Sequence, residues 1–492
     1  MSGRYIISID QSTQGTKGLL FDKSGTLICR EDISHRQLIN ELGWVSHDPE
    51  EIYENVIGVI KAVLTRANVA PDEVACLGIS NQRETSILWD RETGKALNNA
   101  VVWQCARATE ICEREEIKNN ADYVFETTGL KLSPYFPAAK IAWLLENTEG
   151  ARKKAEENKL CHATVDSFLV YRLTKGKTYA TDFSNASRTQ LFDIFSLKWD
   201  EKICSLFGIK PENMPTVLDS NALYGYTDCE GVFSSPIPIY AVMGDSHAAL
   251  FGQDCRENGK AKATYGTGSS IMMNIGETAV LSKNGLVTSL AWGIDGKVSY
   301  VLEGNLNYTG AVITWLKDDV KLIGDAGETE GLAMAANKND SLYLVPAFSG
   351  LGAPYWNSHA KAAIVGMDRT SGRNEIVRAA LDCIAYQITD IVNAMKEDSS
   401  IDLEELRVDG GPTKNNYLMH FQADIADCDV LVPNMAELSG IGAAYMAGLS
   451  CGIWGEEIFD KMKRERHTPK MSREEASAKY DGWKKAVMSV CG

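Results

Sequence analysis

Short runs of β-branched and other apolar residues, each closing on small, polar or charged ones, set the rhythm of this chain. Ile6, Ile7 and Ile9 predict a buried strand that ends at Asp10. Ser12, Thr13, Gly15, Thr16 and Lys17 follow as a polar turn, then an apolar run from Leu19 to Phe21, a turn through Gly25, and a returning strand from Thr26 to Cys29. Together these predict a β-meander. Ile52, Val56, Val59, Ile60 and Val63 fall at helical spacing behind Asp48-Pro49, so a helix is expected from Glu50 to Arg66. A second buried strand, Val74 to Ile79, runs straight into the polar stretch Asn81 to Thr85. Strands are also expected from Ser86 to Trp89 and up to Trp103, and a helix through Leu144 behind Tyr135. Asp182 to Ser187 reads as a polar loop, and Pro236 to Met243 as a strand that turns at Gly244 into a helix from Ala248 to Phe251.

Near Gly252 to Lys260 the pattern starts again. Lys260 to Tyr265 is a strand, Gly266-Thr267-Gly268-Ser269-Ser270 a polar turn, and Ile271 to Asn274 a returning strand. The outline of the opening meander is repeated, which suggests duplicated domains with a cleft between them. Leu406 to Asp409 is a further strand; two glycines follow it, and a helix is expected to start near Pro412. Gly440, Ala443, Ala444, Ala447 and Gly448 place small residues three and four apart, a device for close helix packing. From Ser472 onward the chain is charged and reads as a peripheral helix.

The polar clusters at strand ends carry the candidate chemistry, because α/β folds put ligands there. The first turn offers unshielded N–H groups, hydroxyls and the Lys17 cation, which suit a phosphate. It also reads as an ordinary hairpin with polar tips. Asp10 is placed to hold Mg²⁺ directly or through water. Arg83 and Glu84 set a donor fork beside an acceptor, suited to a vicinal diol, though a surface ion pair is the more frequent use of such a dipeptide. Trp103 can present a flat face to the C–H side of a polyol or simply pack in the core. Asp245 stands at the strand–helix junction, as a helix cap or as a catalytic carboxylate.

Composition narrows the partners. The 492 residues fit two large domains or three ordinary ones. A net charge of −16 disfavours nucleic acid or an acidic membrane surface as principal partner, though not a nucleotide in a local pocket. The 12 cysteines form no CxxC pair, which argues against a zinc site and a disulfide framework and for reduced, buried thiols. With no signal-like segment before Asp10 and no apolar run of about 18 residues, neither export nor a membrane span is expected, and the cytoplasm is the expected location.

Several motifs then combine. Asp10 to Lys17, Asn81 to Thr85, Val102 to Cys105, Tyr135 to Leu144, Val345 to Trp356, Ala362 to Asp382 and Val408 to Asn416 resemble, in order and over nearly the whole length, the FGGY family of carbohydrate kinases. The resemblance is strongest to its glycerol-kinase branch. It implies an α/β fold of two actin-like (ribonuclease H-like) domains with an ATP/substrate cleft between them. The expected division is residues 1–253, residues 254–449, and a helical extension, residues 450–492, packed on the core. It implies ATP-dependent phosphorylation of a primary hydroxyl on a small polyol or sugar, with Mg²⁺, in a homo-oligomer that is a dimer or tetramer. Asp245 matches the family's general base. Arg83, Glu84, Trp103, Tyr135 and Asp245 match substrate positions, with Ser246 and Ser270 beside them. Thr13, Gln14, Lys17, Thr267, Gly310, Thr314, Gly411 and Asn415 fall at nucleotide positions, and Asp10 at the metal.

Departures from that branch bear on the substrate. Ser246 stands where it has Gln, and Ser270 where it has Phe. The first loop, usually Gly-Thr-Thr, is Ser12-Thr13-Gln14, and Thr314 replaces a nucleotide-side Gln. Pro236 replaces an arginine that binds a sugar bisphosphate inhibitor, so that regulation is expected to be absent. A pocket with less bulk and more hydroxyls points to glycerol or something longer: a tetritol, or a pentulose of the xylulose type. An actin-like nucleotide-binding protein without sugar chemistry is the remaining alternative.

Overall fold

The computed structural model describes residues 3–491. Its first large sheet has the strand order Leu223–Thr227, Ile237–Gly244, Val74–Asn81, Tyr5–Gln11, Gly15–Phe21, Leu27–Ser34. Tyr5–Gln11 runs parallel to Val74–Asn81, which runs parallel to Ile237–Gly244, and the meander beside them is antiparallel. Alternation along Tyr5–Gln11 explains why nearly every residue in it is buried. Ile7 and Ile9 pack under the helix Pro49–Ala67, whereas Ile6 points to the other face, against the helix Leu438–Ser450.

The second sheet repeats the plan. Ala261–Tyr265 and Ser269–Gly276 are antiparallel, Lys297–Leu306 adds the third strand, and Glu405–Gly410 and Asp429–Pro433 continue in parallel on the other side. Its core lies under the helix Arg373–Ser399. Gly304 lets that helix in: a Cβ there would sit 2.5 Å from Ile391 Cγ2. The small-residue helix Leu438–Ser450 crosses Asp245–Gly252 at the closest approach in this core; a Cβ on Gly442 would sit 1.8 Å from the Ala248 carbonyl oxygen. This late segment of the chain therefore returns to the first sheet and clamps the helix that begins at Asp245.

Four local expectations change. The first turn is shorter than the polar run suggests. Pairing resumes at Gly15, so Thr16 and Lys17 lie on the strand, opposite Gln11 and Asp10, and the returning strand is Leu27–Ser34. Asp182 to Ser187 is not a loop. Asp182 caps the helical turn Phe183–Ala186 by accepting from the N–H groups of Ser184 and Asn185, and these residues are buried because they satisfy one another. The helix after Gly410 starts only at Asn416. Pro412 instead opens a short 3₁₀ turn, Gly411–Lys414, and Asn415 is the cap.

The C-terminal helix, Arg473–Cys491, is charged yet not peripheral. Trp483 is wholly buried, its ring stacks on Tyr386 at 5.3 Å, and its indole N–H donates to Asp390 Oδ2 at 2.8 Å. Tyr355 and Tyr480 donate to the same carboxylate. Burial pushes Asp390 up to about 6, against the pull of these three donors. Trp483→Ala removes a large core side chain and one of those donors, so a loss of about 3–5 kcal/mol is expected by denaturant titration. A loss under about 1 kcal/mol would mean the helix is dispensable to the core.

All 12 cysteines are free, and every one but Cys491 is buried. Among the described residues no helix is long and apolar enough to cross a membrane.

Candidate active site between two lobes

Because Tyr5–Gln11, Val74–Asn81 and Ile237–Gly244 run the same way, they release their chains at one edge of the sheet. The residues delivered there are Asp10, the pair Arg83 and Glu84, and Asp245. The second sheet does the same with Ala261–Tyr265 and Glu405–Gly410, whose ends carry the Gly266–Gly268 turn and the Gly410-Gly411 pair. The two edges face each other across a cleft of about 940 Å³. Asp10, Lys17, Asp245 and Ser246 line one wall; Lys262, Ser270, Asp409 and Gly411 line the other. A second cavity of about 520 Å³ meets it at Gly411 and Lys414, and Gly310, Thr314 and Asn415 lie on its walls. The predicted site residues therefore converge, but in three groups.

The first group surrounds Asp10. This carboxylate is 5 % exposed, accepts from Ser80 Oγ at 3.2 Å, and lies 3.7 Å from Lys17 Nζ. Burial pushes it up to about 6, Lys17 pulls it back, and Asp245 and Glu437 raise it. Lys17 is also 2.5 Å from Glu437, so its charge is largely spent within the wall. Thr13 and Gln14 sit at the turn tip outside this lining. The Thr13 hydroxyl accepts from Trp103 Nε1 at 2.9 Å, and Gln14 is exposed. Thr267 is likewise exposed at its turn, with its carbonyl accepting from Thr309 and Ala311.

The second group is a buried charge network. Arg83 sends both terminal nitrogens to Glu303, at 3.0 and 2.9 Å, and turns Nε toward Asp245 Oδ1 at 3.3 Å. Arg188 spans Glu84 at 2.6 Å and Glu303 at 2.9 Å. The fork of Arg83 is thus occupied rather than free for a diol. Glu84 is held at φ 61°, a left-handed backbone that a non-glycine residue adopts at a cost. Burial alone would raise Glu303, yet the Arg188 and Arg83 guanidiniums hold it well below the usual carboxylate range. Trp103 and Tyr135 stand half-buried beside the network, their rings 5.7 Å apart. Lys140, fully buried, donates to the Tyr135 carbonyl.

Asp245 is the hinge between this network and the cleft. It is the first residue of its helix and not the cap; Gly244 holds that position. Its Oδ1 accepts from the Ser246 N–H at 2.6 Å as well as facing Arg83, and among the described residues no hydrogen bond involves Oδ2. The side chain is 34 % exposed, toward the cleft. Ser270 donates to Glu303 Oε1 at 3.3 Å from the neighbouring strand of the second sheet.

The third group is the smaller cavity. Gly310 packs so close to the Gly266 carbonyl that a Cβ would lie 2.6 Å from it. Asn415 accepts from the Leu418 N–H and donates to Thr329 Oγ1 at 3.1 Å. Ile313, Leu381, Ile384 and Leu418 give the cavity an apolar side, beside the charged Lys317, Asp318, Glu330 and Lys414.

Glu303, Arg188 and Lys262 escape a reading of the sequence; Asp409 is missed although it closes its strand as Asp10 does. The available signal was a lone charge inside an apolar strand, as Glu303 is in Lys297–Leu306 and Lys262 is in Ala261–Tyr265.

Residues 5–252 match the N-terminal domain of the FGGY family of carbohydrate kinases, and residues 261–451 match its C-terminal domain. The chain is 47% identical to a glycerol kinase of Alkaliphilus oremlandii (strain OhILAs), over 98% of this chain and 97% of that one. It is 47% identical to glycerol kinase 1 of Thermotoga maritima, over 99% of each. The crystal structure of Plasmodium falciparum glycerol kinase with ADP superposes with a TM-score of 0.93 at 35% identity, covering 99% of this chain and 98% of that one. A xylulose kinase from Lactobacillus acidophilus shares the fold, with a TM-score of 0.87 at 20% identity. With both lobes matched in order and the strand-end carboxylates gathered in the cleft between them, the chain belongs to the FGGY family of carbohydrate kinases, phosphotransferases that act on an alcohol group.

Proposed function

We propose that this chain transfers the γ-phosphoryl group of ATP to a primary hydroxyl of a small polyol, with Asp245 as the general base. The observation that carries the reading is the posture of Asp245: Arg83, itself held by Glu303, faces one carboxylate oxygen, while the other is left toward the cleft. The adenine and ribose fit the cavity of Gly310, Thr314 and Asn415, whose apolar wall suits a flat ring. Gly411, shared by both cavities, lets the phosphates pass close to the backbone toward Lys17. Thr13 and Thr267, one in the polar turn of each lobe, supply hydroxyl and N–H donors to the phosphates.

Asp10 fits Mg²⁺. It is a buried hard-oxygen donor crowded by other carboxylates, and among the described residues no cluster of three or more His, Cys, Asp or Glu forms a cage of its own. Mg²⁺ commonly takes one or two carboxylates and completes its shell with phosphate and water. Bound there, the metal would neutralise charge on the phosphates.

The acceptor hydroxyl lies against Trp103 and Tyr135 and is aimed by Asp245 Oδ2. As its oxygen bonds to phosphorus and the bond to ADP breaks, the hydroxyl proton passes to Asp245. Positioning and charge compensation account for most of the rate in such a loose transfer. Closure of the lobes over the cleft excludes water, which would otherwise compete as acceptor.

The relatives named as glycerol kinases favour glycerol. Ser246 and Ser270, both on the cleft wall, favour a longer or more hydroxylated acceptor such as erythritol, threitol or a pentulose. ADP release measured over glycerol, erythritol, threitol, xylulose, ribulose and gluconate discriminates these. Ser270→Phe is expected to refill the wall and shift the kcat/KM ratio toward glycerol over a tetritol by about 10–200-fold, the range for one methylene of fit. An unchanged ratio would remove Ser270 from the acceptor site. ADP release indifferent to every polyol and sugar would instead leave a nucleotide-binding protein without acceptor chemistry.

A further inference from the structure

Five carboxylates line the main cleft, those of Asp10, Asp245, Asp409, Glu437 and Glu465, against three cations. A triphosphate entering such a site needs positive charge that is not already committed. Lys17 is committed, to Glu437 and Asp10. Lys414 is exposed at the rim. Lys262 differs from both. It is 1 % exposed, yet it lies on the cleft wall.

Lys262 and Thr264 are two apart on Ala261–Tyr265, so they share a face, and Thr264 pairs with Ser270 on one side and Asp409 on the other. Lys262 Nζ donates to Thr264 Oγ1 at 3.0 Å, and Thr264 Oγ1 donates to Asp409 Oδ2 at 3.1 Å. That is its one hydrogen bond among the described residues, and no carboxylate lies within ion-pair distance. An ammonium has three N–H groups, so two remain unspent in a buried position, an expensive arrangement unless an anion arrives to use them. The charges around it mark where: Asp409, Arg83, Glu303 and Asp245 all act on it. Burial depresses its pKa from the ordinary lysine value, against the pull of the Asp409, Glu303 and Asp245 carboxylates.

We propose that Lys262 is a further catalytic residue, whose ammonium contacts the non-bridging oxygens of the phosphoryl group as that group passes to the hydroxyl held by Asp245. Lys262 keeps its proton throughout. The oxygen–phosphorus bond to the acceptor forms, the bond to ADP breaks, and the acceptor proton goes to Asp245. Thr264 and Asp409 hold the ammonium in place. The inference rests on the phosphotransfer reading, which polyol-dependent ADP release by the unaltered enzyme tests separately.

The test compares the full-length enzyme with Lys262→Met, Lys262→Arg and Lys262→Ala. Lys262→Met is expected to lower kcat by about 10²–10³-fold, the usual effect of removing one transition-state donor. The melting shift caused by ADP alone should persist. The larger shift caused by ADP, Mg²⁺, aluminium fluoride and polyol together, which mimics the group in flight, should be lost. Lys262→Arg should recover part of kcat, and methylamine added to Lys262→Ala should restore activity saturably. Retention of kcat within threefold in Lys262→Met overturns the proposal. So does a full aluminium fluoride shift in that variant. If Lys262→Met does not fold, the Arg and Ala variants decide, and failure of both rescues overturns it.

Discussion

Asp245→Asn is expected to bind ATP with near-normal affinity and to lose about 10²–10⁴-fold in kcat, the usual contribution of a positioned general base. The substitution is conservative in shape, so the Ser246 N–H and Arg83 Nε still find an oxygen at the Oδ1 position. What disappears is the capacity to take a proton on the atom facing the acceptor. Arg83 keeps its bidentate partner Glu303, which is why the fold should hold and the thermal midpoint should barely move. The measurement is steady-state kinetics with the best acceptor, alongside nucleotide binding by calorimetry. More than about a tenth of the parent kcat would take Asp245 out of the base role. A parallel loss of ATP binding would instead make it part of the nucleotide site.

Much of this arrangement is visible in residue order because it depends on neighbours along the chain. The alternation of Ile6, Ile7 and Ile9 reports two covered faces, and the glycines of Leu438–Ser450 report a close crossing; both arise within one element. The carboxylates at strand ends follow from the same local logic, so Asp10 and Asp245 stand out. Other features depend on partners far away. The residue that holds Arg83 lies 220 positions along the chain, and nothing around Arg83 announces it. Asp182 to Ser187 has the composition of a solvated loop, and partners far along the chain satisfy it in the core: Asn81 pairs with Asn185 at 2.9 and 3.0 Å, Ser220 donates to Asp182, and the Gly244 and Leu290 N–H groups donate to Ser184 and Ser187. The charged C-terminal helix buries Ala476, Trp483, Ala486 and Val487, which fall at helical spacing, so its inward face is legible in the sequence and is masked only by the charge of the opposite face.

The Glu303 network supplies the second large effect, in stability before activity. Glu303→Gln should destabilise the protein by about 3–5 kcal/mol, because it strips the shared counter-charge from two buried guanidiniums. Arg188 would keep only Glu84, and Arg83 would be left with Glu84 at 4.0 Å and the half-open Asp245. Gln is nearly the same size, so the loss measures charge and not volume. Burial decides the magnitude. Arg114 and Glu146 form a bidentate pair as short as the one between Arg83 and Glu303, at 2.9 and 2.7 Å, but on the surface. Glu146→Gln should therefore cost about 1 kcal/mol or less. Denaturant titration of the two variants side by side makes the comparison. Activity should fall further in Glu303→Gln than stability explains at the assay temperature, since the network fixes Arg83, and Arg83 fixes Asp245. Equal and small losses in both variants would show that water reaches Glu303, and the posture of Asp245 would then need another cause.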